Sequence, residues 1–138
     1  MKLRSHPSEL RLMRAFVGRW AERTGLGREQ CYEACLVATE AVTNAIRHSG
    51  GDEEITVCCR RADGELLISV QDRGTFRSGP VATTLVIEDP GPEDLGGRGL
   101  FLIQELTRGF EIEKGEQGEQ GTRLSMRMGV EGGLAAAA

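Results

Sequence analysis

Apolar side chains recur at the three- to four-residue spacing of amphipathic helices in three stretches of the chain. The first stretch follows Pro7 and ends near Gly25, and the second runs from about Arg28 to His48. The third begins near Arg98, directly after a pair of glycines. Proline early in a helix and glycine just beyond its end are common boundary residues. The pattern therefore predicts three helices.

Apolar and other side chains alternate with the two-residue period of β-strands in most of the remaining sequence. The predicted strands cover residues 2–5, 55–61, 66–72, 110–114 and 122–128. The Asp63-Gly64 dipeptide lies between the second and the third of them, and such dipeptides favour the tight turn of a β-hairpin. We therefore expect these two strands to pair as a hairpin.

Two segments lack either period. Residues 74–97 are rich in glycine, proline and acidic side chains around one apolar patch at 81–87. Loops longer than about 15 residues are uncommon in a compact domain and often act as functional lids, so we expect a functional loop here. Residues 130–138 are small and unpatterned, which predicts a mobile tail behind a single domain of residues 1–129.

The composition limits the kinds of molecule that the protein is expected to bind. The 138 residues suit one domain, 39% of them are hydrophobic, and the formal net charge is −4. Negative charge and an aromatic content of only 4% argue against direct binding of nucleic acid or of an anionic membrane. The sequence contains no signal-peptide pattern and no apolar run of about 18 residues, so a cytoplasmic protein is expected.

The four cysteines, at positions 31, 35, 58 and 59, match neither the paired spacing of zinc knuckles nor a redox motif. We expect buried, reduced thiols. Side chains alternate along a strand, so Cys58 and Cys59 should point to opposite faces of the sheet.

Polar side chains share one face of the second predicted helix. Glu40 and Asn44 are four residues apart and fall within about 40° of each other around the helix axis. Arg47 and His48 extend the same face. On an isolated helix, this pattern equally describes an ordinary solvated face. Other features of the sequence are needed to decide whether this face is a binding site or an ordinary solvated surface.

Three further places present groups that can bind a ligand. Asp72 ends an apolar strand just before Gly74, where its carboxylate can accept from an amino group, although many such residues are turn aspartates. Gly97 and Gly99 allow main-chain N–H groups near a helix start to approach an anion, although they equally suit a hinge. Thr122 opens the last strand with a small hydroxyl side chain.

The order of these features is more specific than any one of them. The strings EAVTNAIRHSG, DRGTF, GGRGLFLI and GT resemble the N, G1, G2 and final Gly-Thr boxes of the GHKL (Bergerat-fold) ATPases. The size and the helical opening of the chain resemble those of the small anti-sigma-factor serine kinases of that family. One departure is Phe76, which stands where the G1 box often has a glycine. The resemblance covers roughly residues 5–128.

The resemblance implies an α+β fold, a two-layer sandwich with the helices on one face of a mixed, mainly antiparallel sheet. It also implies a site for ATP and Mg²⁺, in which Asn44 would hold the metal ion and Glu40 would be the general base for the attacking hydroxyl. Asp72 would accept from the adenine amino group, with Thr122 nearby. The other implied nucleotide contacts are Arg47, His48, Gly74, Gly97, Arg98, Gly99 and Leu100.

The function implied first is an ATP-dependent serine kinase that binds a sigma factor and phosphorylates a serine-bearing antagonist protein, thereby switching partners. Small kinases of this family tend to pair, which implies a homodimer. The alternative is a nucleotide-responsive binding module that sequesters a partner with little or no kinase activity, and the retained Glu40 argues against it. A detached histidine-kinase domain fits less well, because the chain lacks a phospho-accepting helix.

Overall fold

The structure is a computed structural model that describes residues 1–49, 54–72, 95–114 and 122–129. It contains three α-helices, α1 (Leu10–Thr24), α2 (Arg28–Ser49) and α3 (Leu95–Leu106). It also contains five strands, β1 (Lys2–Arg4), β2 (Glu54–Ala62), β3 (Glu65–Asp72), β4 (Gly109–Lys114) and β5 (Thr122–Gly129). Most of the predicted loop over 74–97 and the predicted tail over 130–138 lie outside the described residues.

The five strands form one sheet in the order β1-β2-β3-β5-β4. Every pairing among them is antiparallel, so the described sheet is not mixed as the resemblance implied. Strand β5 therefore lies between β3 and β4, although β4 precedes it in the chain. The three helices pack against this sheet, and the expected α+β sandwich is confirmed. None of the helices in the described ranges combines the length and the hydropathy that a membrane crossing requires.

Local turn chemistry explains two of the predicted boundaries. Asp63 and Gly64 have φ angles of 52° and 75°, so both central residues of the β2–β3 turn are left-handed, as a type I′ turn requires. Gly25 ends α1 with a φ of 94°, and its N–H donates to the carbonyls of Ala21 and Glu22. Pro7 opens a single 3-10 turn rather than α1 itself, which begins at Leu10.

The third helix begins earlier than its sequence predicts. The glycines before Arg98 suggested a start near that residue, but α3 begins at Leu95. Glycine costs only about 1 kcal/mol per residue in a helix, a weak preference that tertiary packing routinely overrides. Packing of α3 against α2 supplies such a contact here.

The core lies between the helices and the inner face of the sheet, and α2 is its central helix. This helix packs against α1, against α3 and against β3. Helical spacing predicts one buried apolar stripe on α2, made of Cys31, Cys35, Ala38, Val42, Ala45 and Ile46. This prediction is partly confirmed, because Ala38, Val42 and Ala45 are buried while the other three are only partly buried. Three further residues of α2 are buried that the stripe did not include: Ala34, Val37 and Ala41. Helix α2 is thus covered on more than one side.

The cysteines are free thiols, as predicted, but none of them is fully buried. Cys58 is exposed, because it lies on the sheet face opposite the helices. Cys59 points the other way and packs partly against the core, which confirms the predicted alternation of the two side chains.

Candidate functional site

The predicted polar face of α2 does not meet solvent along its whole length. Asn44 is only 8% exposed, and Glu40 is half-buried one turn before it. Both side chains face Gly99 of α3. A β-carbon built on Gly99 would lie 3.0 Å from Oε2 of Glu40 and 3.4 Å from Nδ2 of Asn44. The contact between α2 and α3 therefore places Gly99, which the sequence marked separately, against Glu40 and Asn44.

A small cavity lies beside this contact, between α2, α3 and the inner face of the sheet. Its lining residues are Ala41, Asn44, Ala45, Val70, Asp72, Leu100, Ile112, Thr122 and Leu124. Four of the predicted site residues thus line one cavity: Asn44, Asp72, Leu100 and Thr122. Asn44 lines the cavity and also contacts the space above Gly99. It therefore connects the cavity with the Glu40–Gly99 contact.

The polar end of the cavity is built by the pairing of β3 with β5. Asp72 and Thr122 are direct partners in this antiparallel register, and each is 5% exposed. The Oγ1 atom of Thr122 is buried and has no hydrogen-bond partner in the part of the chain that the structure describes. A buried hydroxyl without a partner costs about 1–3 kcal/mol, so this arrangement favours a ligand or water that completes the bond.

The chemistry of the lining suits a nucleotide base, although the cavity itself is only about 20 Å³ in this structure, the size of one water molecule. Val70, Ile112 and Leu124 provide apolar walls of the kind that hold a flat base, while the buried carboxylate of Asp72 can accept from an amino group. The side-chain oxygen of Asn44 is a hard ligand suited to Mg²⁺.

No group of three or more histidine, cysteine or acidic side chains within the described ranges could hold a metal ion. Magnesium commonly binds through one or two protein ligands together with substrate phosphates and water. A site that relies on Asn44 and a nucleotide is consistent with that mode. The residues present therefore fit ATP with Mg²⁺.

The structure does not bring every predicted residue to the site. Arg47 is exposed and makes no hydrogen bond or ion pair with another described residue. The side chains of His48 and Arg98 and the position of Gly74 lie outside the described part of the chain. Gly97 falls within the first turn of α3. The roles of these residues stay predictions.

The apolar lining was missed by the sequence analysis. Val70 lies two residues before Asp72, and Leu124 lies two residues after Thr122, so both point to the same face as their polar neighbours. Ile112 is the direct partner of Leu124 in the pairing of β4 with β5. The two-residue period on either side of the polar pair was the signal that could have identified Val70 and Leu124.

None of the cysteines lines the cavity. Burial raises the pKa of the thiols of Cys31, Cys35 and Cys59, and raises that of Cys59 to about 12. Nucleophilic attack and metal binding need the thiolate, which such a shift disfavours. The raised pKa of these three thiols therefore disfavours both roles.

Comparison with known proteins bears on the same region. The model of the histidine kinase-like ATPase domain family matches residues 3–128. Serine-protein kinase RsbW of Listeria innocua serovar 6a is 32% identical over 114 residues, which are 77% of this chain and 73% of the relative. The protein of the same name from Bacillus pumilus is 28% identical over 126 residues, 82% of this chain and 76% of the relative.

The family match spans all the elements that form the cavity, from α2 to β5. It also spans the four sequence boxes, whose order first suggested a GHKL ATPase. The antiparallel sheet with helices on one face agrees with both. The chain belongs to the histidine kinase-like ATPase family.

Proposed function

We propose that the protein binds Mg²⁺ and ATP between α2, α3 and the adjoining ends of β3 and β5, and transfers the γ-phosphoryl group to a serine of another protein. The observation that carries this proposal is the position of Asn44. Its side chain lines the cavity that holds Asp72 and Thr122, and it also lies beside Glu40 over Gly99. One residue thus links a base pocket to a carboxylate that can take a proton.

The base pocket would select and orient the nucleotide. The carboxylate of Asp72 would accept a hydrogen bond from the adenine amino group, and the hydroxyl of Thr122 would bond the ring directly or through water. The apolar walls exclude water from the ring faces, which strengthens the polar contacts that remain. Asn44 would hold Mg²⁺ through its side-chain oxygen. The bound metal ion supplies charge neutralisation at the phosphates.

Glu40 is the residue that we assign to proton transfer. Its carboxylate makes no ion pair or hydrogen bond with another described residue. In the proposed step, the serine hydroxyl gives its proton to Glu40 while its oxygen bonds to the γ-phosphorus. The bond from that phosphorus to the bridging oxygen breaks, and ADP leaves. A positioned general base contributes about 10²–10⁴-fold to such a step.

The partner classes follow from the family resemblance and from the relatives named serine-protein kinase. We propose a sigma factor as the sequestered partner and a serine-bearing antagonist as the phosphorylated one. Pairing of two copies into a homodimer, a cytoplasmic location and a single domain of residues 1–129 belong to the same proposal. A negative net charge of −4 agrees with protein partners rather than nucleic acid.

The experiment that tests the nucleotide site is calorimetric titration of ATP into the full chain, with and without Mg²⁺. We expect saturable binding that requires Mg²⁺ and that Asn44→Ala abolishes. Thr43→Ala is the matched control, because Thr43 is the adjacent position on α2 and does not line the cavity. Unchanged ATP affinity in Asn44→Ala would overturn the site assignment.

Hydrolysis of ATP with water as the acceptor tests the assigned base without a known protein substrate. Glu40→Ala should bind ATP but hydrolyse it at least about 10²-fold more slowly in single turnovers. Binding without measurable hydrolysis in the wild-type protein would instead support the nucleotide-responsive binding module. A Glu40→Ala variant with the full rate would remove Glu40 from the role of base.

A further inference from the structure

We propose that Gly99 is a positioning residue for Glu40, because the missing side chain at position 99 leaves the space that the Glu40 carboxylate occupies. The assignment to phosphoryl transfer rests on the proposed function. The steric part of the proposal does not, since it concerns only where two described residues lie.

The distances single out Glu40 among the neighbours of Gly99. A β-carbon at position 99 would meet Oε2 of Glu40 at 3.0 Å, which is tighter than nine in ten contacts that β-carbons make in proteins. The same β-carbon would meet Nδ2 of Asn44 at 3.4 Å and Oδ1 at 3.7 Å, which are ordinary van der Waals separations. An alanine at position 99 would therefore displace the carboxylate and leave the amide nearly in place.

Backbone conformation does not account for the glycine. Among the described glycines, only Gly25 and Gly64 have positive φ angles, so Gly99 adopts a conformation that any residue can take. Gly99 also lies within α3, where glycine is a poorer helix former than alanine. The close approach of Glu40 is the described feature that an alanine at this position would disturb.

The main-chain N–H of Gly99 is not among the free amides of the helix start. Only the first few N–H groups of a helix lack an acceptor within the helix. Gly99 is the fifth residue of α3, so regular helical pairing gives its N–H the carbonyl of Leu95. The positioning role proposed for Gly99 concerns the space above the residue and is separate from the nucleotide contact that the family resemblance implies for it.

A double-mutant cycle tests the steric coupling without any activity measurement. In the Glu40→Ala background, Gly99→Ala should raise the midpoint of thermal unfolding by about 3 °C, because the clash is gone and only the helix preference remains. In the wild-type background, the same change should give no rise or a fall.

Gly18→Ala is the matched control, since a β-carbon on this glycine of α1 meets its nearest neighbour, Sγ of Cys35, at 3.6 Å. It should give the same shift in both backgrounds. Equal shifts for Gly99→Ala in the two backgrounds would overturn the proposal.

The kinetic test separates positioning from binding. Gly99→Ala should lower kcat for ATP hydrolysis about 10-fold or more, because a base displaced by a fraction of an ångström loses its alignment. The loss in kcat should exceed any loss in ATP affinity, measured by calorimetry, because Asn44 keeps its place.

Loss of ATP binding with kcat preserved in the remaining complex would contradict the positioning role and favour a direct phosphate contact. If the wild-type protein binds no ATP at all, the proposed function fails. The thermal cycle then still decides whether Gly99 sets the place of Glu40.

Discussion

The two ends of the paired strands β3 and β5 are equally buried but chemically opposite. At one end, Leu66 pairs with Met128, and both side chains lie in the hydrophobic core. At the other end, Asp72 pairs with Thr122 in the same register, and both are buried against the cavity. The two strands therefore carry a dry core and a polar pocket on one continuous face.

The difference between the two ends separates the part of the sheet that stabilises the fold from the part that can bind a ligand. Burying a large apolar side chain contributes about 1.5–3 kcal/mol, whereas a buried hydroxyl without a partner costs about 1–3 kcal/mol. The polar end is thus tolerated because the apolar end and the rest of the core offset its cost. A ligand that bonds to Asp72 and Thr122 would recover part of that cost.

The largest effect is expected at the apolar end. Leu66→Ala should lower the free energy of unfolding by about 3 kcal/mol, because it removes a fully buried side chain and leaves a cavity. Chemical denaturation at constant temperature measures this loss. The ATP affinity of the folded fraction should stay within about 2-fold of wild type, since Leu66 is far along β3 from Asp72. A loss below about 1 kcal/mol would contradict the assignment of this end as the stabilising one.

The next effect is expected at the polar end, and in binding rather than stability. Asp72→Asn should weaken ATP binding about 10- to 100-fold, because a neutral amide replaces a charged acceptor for the adenine amino group. The amide can also donate to the O6 atom of guanine, so the preference for ATP over GTP should shrink. Calorimetry with both nucleotides measures the two changes. An unchanged preference would place the base elsewhere.

Thr122→Val is expected to stabilise the protein, by less than Leu66→Ala destabilises it. Valine has nearly the same shape and removes a buried hydroxyl that has no partner among the described residues, so the free energy of unfolding should rise by about 1 kcal/mol. Ser125→Ala on the same strand is the control, because its hydroxyl lies 3.2 Å from that of Ser69 and is already hydrogen-bonded. A higher free energy of unfolding in Ser125→Ala but not in Thr122→Val would contradict the prediction that the Thr122 hydroxyl is the one without a partner.

A separate effect is a decline of the free energy of unfolding at alkaline pH, which originates in the apolar half of the sheet. Cys59 is the direct partner of Ile68, and burial raises the pKa of its thiol from 9.0 to about 12. The folded protein therefore keeps a proton that the unfolded chain loses, so this contribution is complete below pH 9 and is lost as the pH rises towards 12.

Between pH 9 and pH 12, the free energy of unfolding should fall less steeply in Cys59→Ala than in the wild-type protein. Cys58→Ala provides the exposed control and should keep the wild-type decline. Equal declines in wild type and Cys59→Ala would show that burial of this thiol does not contribute to the pH dependence.

Elements with strong local signals were predictable from the sequence. The Asp63-Gly64 turn and the end of α1 at Gly25 depend on backbone conformations that these residues adopt at little cost. The start of α3 was not predictable, because a contact with α2 extends the helix over two glycines that the local preference would exclude.

The site was predictable in part. The order of the sequence boxes marked Glu40, Asn44, Asp72 and Thr122, and the structure places the last three around one cavity and the first beside it. The apolar lining was not marked, since Val70 resembles any core residue of a strand until the position of the cavity is known.

The sequence by itself determined the periods of its segments, and therefore which face of each helix and strand can be buried. It also determined the family, because the boxes carry residue types in a fixed order. Tertiary structure alone decided that β5 inserts between β3 and β4, which sets Thr122 opposite Asp72. It also decided that α3 lies against α2, which sets Gly99 beneath Glu40. A segment's period reports only its own faces, whereas these contacts depend on which faces of distant segments bury each other.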